Sequence, residues 1–172
     1  MRLFAGIAAT AILVAACGGT AAAPSPSPSP IPTASPTPIP TQANVFKADL
    51  KASNETPPIT DAEASCSGTA TVTFTATTAK FDVVISGCPA TTAINIGHIH
   101  EGAAGVPGAV KISTGLAAGD LTLTGGGVTF TRTATADAAL ITTILANPAG
   151  YYVNFHSTLH GGGVIRGQLV KA

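Results

Sequence analysis

The chain has 172 residues, 9% of them charged, with no net charge and no tryptophan. That length suits one domain of ordinary size, and the charge balance lacks the basic surface that nucleic acid requires, so no nucleic-acid partner is expected. Many Thr, Ala, Gly and Val residues point to an all-β domain on a surface rather than to a cytosolic helical enzyme. The first element in chain order is MRLFAGIAATAILVAACGGT. Arg2 supplies a short positive start, and Leu3 to Ala16 is an apolar run ending in small residues. The run is shorter than the ~20 residues of a membrane-spanning helix, so residues 1–16 read as an export signal. A buried helix of the domain is the alternative, and the proline-rich segment that follows argues against it.

Val14, Ala15, Ala16 and Cys17 resemble the lipobox of bacterial lipoproteins. The resemblance implies that the Cys17 thiol receives a diacylglycerol and that cleavage leaves Cys17 as the new N-terminus. Two or more acyl chains anchor durably where one binds marginally. The expected location is the bacterial cell envelope, lipid-anchored and extracytoplasmic; a simple secreted protein is the alternative. Residues 17–42 then form the lipidated cysteine and a Pro/Ser/Thr-rich linker, with proline at nearly every second position from Pro24 to Pro40. Such a run favours polyproline II, and at about 3.1 Å per residue it holds a domain roughly 50 Å from the lipid. A disordered tail would tether as well.

Residues 43–172 read as one β domain. Strands are expected at 45–52, at TATVTFTAT and AKFDVVIS, and at 92–100, 109–113, 120–124, 128–133, 150–157 and 164–170. Val72 and Phe74 alternate with polar residues, and Phe81, Val83 and Ile85 share a face. A turn near Thr77 to Ala79 brings Cys66 and Cys88 almost opposite each other. With Cys17 lipidated, these two remain, and an even count in an exported chain suggests a disulfide; two free thiols are the alternative. TADAALITTILANPAG breaks the pattern. Leu140, Ile141, Ile144 and Leu145 have helical spacing, Thr135 or Asp137 is the candidate cap, and Pro148 and Gly150 end the segment. The expected fold is all-β, an antiparallel Greek-key sandwich or barrel of the immunoglobulin-like or superoxide-dismutase-like kind, with one short helix near 136–146.

Three motifs resemble the chordin-type CHRD domain. FKADLKASNETPP carries Asn54, Glu55, Pro57 and Pro58; HIHEG, at 98–102, is followed by GVPGAV; and YVNFHS precedes GGGVIRGQL. They span nearly all of 46–170 in the family's order. The chain departs from the family at Val164, where an acid usually precedes Ile-Arg-Gly, and at Gly161, where proline is common. The resemblance implies an extracellular β domain and supplies no activity.

The histidines admit two readings. Residues i and i+2 of a strand share a face, so His98 and His100 lie side by side, on the face of Ile94 and Ile96. If those isoleucines are core, the histidines cap it. His156 follows Tyr152 and Asn154, and Arg166 shares a face with Gln168. In the structural reading, Glu55, His98, His100, Asn154, His156 and Arg166 form a hydrogen-bonded cluster that pins the sheets, with Glu55 as partner of Arg166. An unpaired buried polar group costs about 1–3 kcal/mol. In the metal reading, His98, His100 and His156 hold copper or zinc, with His160 as a weaker fourth ligand. HIHEG resembles the copper-binding His-x-His of Cu,Zn superoxide dismutase, yet residues 103–115 contain neither His nor Asp for a zinc loop. No nucleophile elbow appears, and GAAGVPG lacks the lysine of a phosphate loop. The expectation is a tethered binding or structural module with no catalytic site and no cofactor. Its expected partners are the membrane, through Cys17, and envelope or extracellular protein or glycan. The alternative is a copper- or zinc-binding envelope protein, superoxide-dismutase-like at its furthest.

Overall fold

In the computed structural model, residues 44–172 are described. The export signal, Cys17 and the proline-rich linker lie outside the described residues. Strand β1 (Asn44–Lys51) alternates Phe46, Ala48 and Leu50 inward with Lys47, Asp49 and Lys51 outward. Strands β2 (Ser67–Phe74) and β3 (Thr78–Ser86) form a hairpin that buries Val72, Phe74, Ala79, Phe81, Val83 and Ile85. Its turn lies slightly earlier than the sequence suggests. Ala79 is a core residue paired with Phe74, and the turn closes through Thr75, whose hydroxyl lies 2.7 Å from that of Thr78. At the open end Cys66 and Cys88 form the disulfide, with Cα atoms 4.3 Å apart.

Strands β4 (Ile94–Glu101) and β5 (Val110–Ser113) form a second pair. The strand expected at 120–124 does not form; the stretch makes only an isolated bridge, Thr124 to Gly127. Asp120 provides the reason. Its carboxylate accepts from the Ala117 amide at 3.1 Å and from Arg132 at 3.0 Å. That local bond holds the chain in a turn instead of a ladder. Strand β6 (Val128–Thr135) leads into helix α1 (Ala138–Ala146). Asp137 caps it by accepting from the amides of Ala139 and Leu140, and Ile141 and Ile144 enter the core. Strand β7 (Tyr151–Ser157) is followed by β8 (Ile165–Gln168) and β9 (Val170–Lys171). The single strand expected over 164–170 divides at Leu169, whose amide bonds to the Tyr151 carbonyl at 2.9 Å. Beyond it, β9 pairs with β1.

The strands form one antiparallel sheet in the order β5-β4-β7-β8-β1-β2-β3-β6. Its end strands β5 and β6 come into contact, so the sheet is a nearly closed barrel or sandwich with a single helix, as the patterning predicts. The interior holds one apolar core that includes Leu50, Phe81, Ile99, Val153 and Phe155. Strand β7 differs from the rest because every residue in it is buried. Its inner side chains meet the core, and its outer ones lie beneath loops.

Candidate functional site

Asn95 decides which face the histidines occupy. The pairing of β4 with β7 shifts register between Ile94 and Ile96, as a β-bulge does. Ile94 is buried in the core, whereas Ile96 is exposed. Past the bulge Ile99 points inward, so His98 and His100 share the outer face with Ile96. The expectation that Ile94 and Ile96 share the histidine face is therefore corrected, and the rings do not cap the core. The register places Asn154 opposite His98, Tyr152 opposite His100 and His156 opposite Ile96. On the other flank of β7, Arg166 lies opposite Asn154 and Gln168 opposite Tyr152.

These side chains form a polar layer between the sheet and three loops. The His98 Nδ1 and His156 Nε2 atoms are 3.3 Å apart. His100 Nδ1 lies 2.9 Å from the Gly108 carbonyl oxygen, and His156 Nδ1 lies 2.9 Å from that of Gly161. A carbonyl only accepts, so each of these Nδ1 atoms carries the proton and each Nε2 presents a lone pair. His100 Nε2 is buried without a hydrogen-bond partner. The His100 ring stacks on Tyr152 with centroids 4.9 Å apart. The Arg166 guanidinium lies over the same Tyr152 ring at 3.8 Å and donates to the carbonyls of Val106 at 3.2 Å and Ala103 at 3.4 Å. Tyr152 thus links the histidines to the arginine, and its hydroxyl accepts from the Gly108 amide at 3.1 Å.

Glu55 is buried in the layer, but not as the ion-pair partner of Arg166. Its carboxylate accepts from Asn154 Nδ2 at 2.9 Å, and Arg166 forms no ion pair among the described residues, none of which offers it a carboxylate within 4.0 Å. Arg166 reaches instead toward the loop over 102–108, whose carbonyls take its protons. The Glu55 loop is held independently, by Asn54 Nδ2 donating to the Arg166 carbonyl at 3.0 Å. Gly163 lets the third loop close over this pair. Its φ is +130°, and a Cβ there would meet Asn154 Nδ2 at 2.6 Å and Glu55 Oε1 at 2.9 Å.

His160 stands apart from the other three. Its Nε2 lies 2.9 Å from Asp61 Oδ2 and 3.8 Å from Glu63 Oε2. Glu63 is buried and accepts from the equally buried Ser157 hydroxyl at 2.5 Å. Tyr152, Glu63 and Ser157 were not among the expected site residues. Tyr152 was accessible from its alternation with Asn154 and His156, but Glu63 carries no pattern that would mark it as buried.

Burial and charge act in opposite directions on the layer. Burial pushes the Glu55 carboxyl up from 4.5 to about 7, against the pull of Arg166 and the Asn154 hydrogen bond. Burial, with His156 and His100 nearby, pushes the His98 ring down from 6.5 to about 4. Burial also lowers His156, opposed by the Gly161 carbonyl. A raised carboxyl contributes stability that is full below about 4.5 and lost as pH rises through about 7. A lowered imidazole contributes stability that is full above 6.5 and lost as pH falls through about 4. Between these limits the slopes oppose each other. Glu55→Gln is expected to raise unfolding free energy at pH 8 by on the order of 2 kcal/mol and to leave stability rising with pH from 4.5 to 7. His98→Gln is expected to leave it falling. Urea denaturation across that range checks both, and pH curves parallel to the parent's would contradict the assignment.

The family described as CHRD domain matches residues 46–169. No curated protein and no solved structure matches the chain. The matched range begins at Phe46 in β1 and ends at Leu169, beside β8, so it contains the whole polar layer.

Proposed function

The chain belongs to the CHRD domain family, and from that premise we propose that it is a lipid-anchored, extracytoplasmic module of the bacterial envelope that binds or supports partners without catalysing a reaction. One observation carries the non-catalytic half of this reading. The charged side chains buried in the layer, Glu55 and Arg166, bond to a neighbouring side chain or to backbone carbonyls beneath loops. Arg166 is held by two carbonyls and an aromatic face, and Glu55 by Asn154. The binding half draws on apolar side chains around the layer. Ile96, on the strand of His98 and His100, Val106, in the loop that Arg166 contacts, and Val110, paired with His100, are exposed. Exposed apolar residues ringed by polar ones suit contact with another macromolecule. The partner is an envelope or extracellular protein or glycan.

The anchoring half is supported by the sequence ahead of the domain. A basic start, an apolar run and Cys17 precede a proline-rich spacer that ends just before the family match at residue 46. Acylation of Cys17 attaches the chain to the membrane, and the spacer holds the β domain away from it. The test is fractionation of cells producing the parent chain or Cys17→Ser. The parent is expected in the membrane fraction and the variant in soluble extracytoplasmic or medium fractions. A Cys17→Ser variant that stays with the membrane overturns the anchoring.

A further inference from the structure

Three imidazoles from two neighbouring strands meet on the outer face of the sheet. Each offers a ring nitrogen, and these nitrogens all lie within 4.8 Å of one another. From this geometry we infer that His98, His100 and His156 form a binding site for one zinc or copper ion. The hydrogen bonds define the donor atoms. Gly108 and Gly161 hold His100 and His156 by their Nδ1 protons, which leaves both Nε2 atoms unprotonated, that of His156 in contact with His98 Nδ1. An imidazole that donates its second N–H to a carbonyl has a fixed tautomer and a more basic ligand nitrogen. The buried His100 Nε2 has no other partner, and a metal bond satisfies it.

The donor set selects the metal class. Three neutral nitrogens suit zinc or copper. Calcium and magnesium take oxygen ligands, and no carboxylate pairs with these three rings among the described residues. Nitrogens about 2.0–2.1 Å from a common ion lie closer together than 4.8 Å, so binding draws the rings inward. The 3.3 Å contact between His98 Nδ1 and His156 Nε2 is then replaced by metal bonds to both atoms. The His98 proton moves from Nδ1 to Nε2, so each ring remains neutral and holds one proton. Three protein ligands leave a further position for water or for a group from a partner. The site thereby gives the binding module a metal-dependent surface. It does not depend on the anchoring, and failure of the Cys17→Ser test leaves it intact.

The test uses the full chain in detergent, stripped by a chelator and titrated separately with zinc and with copper. One equivalent of at least one ion is expected to bind and to raise the unfolding temperature. His98→Gln and His156→Gln are each expected to weaken binding at least about tenfold, whereas His160→Gln, in a histidine outside the cluster, leaves it unchanged. Absence of binding, parent affinity in His98→Gln, or loss of binding in His160→Gln overturns the site. Should a variant not fold, imidazole nitrogen spectra of the parent chain decide. Metal-induced shifts confined to the three rings support the site, and shifts elsewhere or none overturn it.

Discussion

Arg166→Ala is expected to lower the free energy of unfolding by about 3 kcal/mol, measured by urea denaturation at neutral pH. The residue is only 3% exposed, so its removal does more than delete a surface charge. It takes away the guanidinium stacked on Tyr152, a contact worth up to about 2 kcal/mol when desolvated. It also leaves the carbonyls of Ala103 and Val106 without the donor they share and opens a cavity between β7 and the loop above it. Arg166→Lys is expected to recover little, because an ammonium lacks the planar face and the forked donors. Amide exchange in residues 102–108 should accelerate in both variants. A loss below about 1 kcal/mol, or full recovery with lysine, would show that the guanidinium does not hold this loop.

Reducing the Cys66–Cys88 bond, or replacing both cysteines with alanine, is expected to lower stability by about 3 kcal/mol. The bond closes a 22-residue separation at the open end of the β2–β3 hairpin. In the chain-entropy account a loop of that size restricts the unfolded chain by about this amount. The loss should appear as an earlier thermal transition in reductant, absent from the double alanine variant, which begins from the lower value. The histidine cluster is carried on β4 and β7, away from β2 and β3 in the strand order, so the resonances of His98, His100 and His156 should not change. Equal transitions with and without reductant would contradict the expectation.

Most of the scaffold was legible because one physical rule repeats. In β1, β2 and β3 apolar side chains alternate with polar ones without interruption, so period and face were both readable. The disulfide followed from that register, and helix α1 followed from its spacing and the Asp137 cap. The errors occurred where a local contact overrides the period. A bulge at Asn95 moved His98 and His100 off the face of Ile94, and no composition marks that extra residue. Asp120 turned 117–120 and prevented the ladder expected over 120–124. Pairing Glu55 with Arg166 assumed that opposite charges in one region meet. The structure instead gives the arginine to backbone carbonyls and Tyr152, which are invisible as partners in a sequence. The grouping of His98, His100 and His156 was legible from the His-x-His spacing plus one more strand. Their tautomers were not, because the fixing carbonyls belong to loop residues Gly108 and Gly161.

The most direct measurement is the protonation pattern of the imidazoles, read from long-range proton–nitrogen spectra of the metal-stripped chain at pH 7. His100 and His156 should carry their protons on Nδ1 with unprotonated Nε2, and His98 should be neutral, gaining a second proton only near pH 4. Protons on Nε2 of His100 and His156, or a charged His98 at pH 7, would contradict a cluster whose unprotonated Nε2 atoms lie within 4.8 Å of the neighbouring rings' nitrogens.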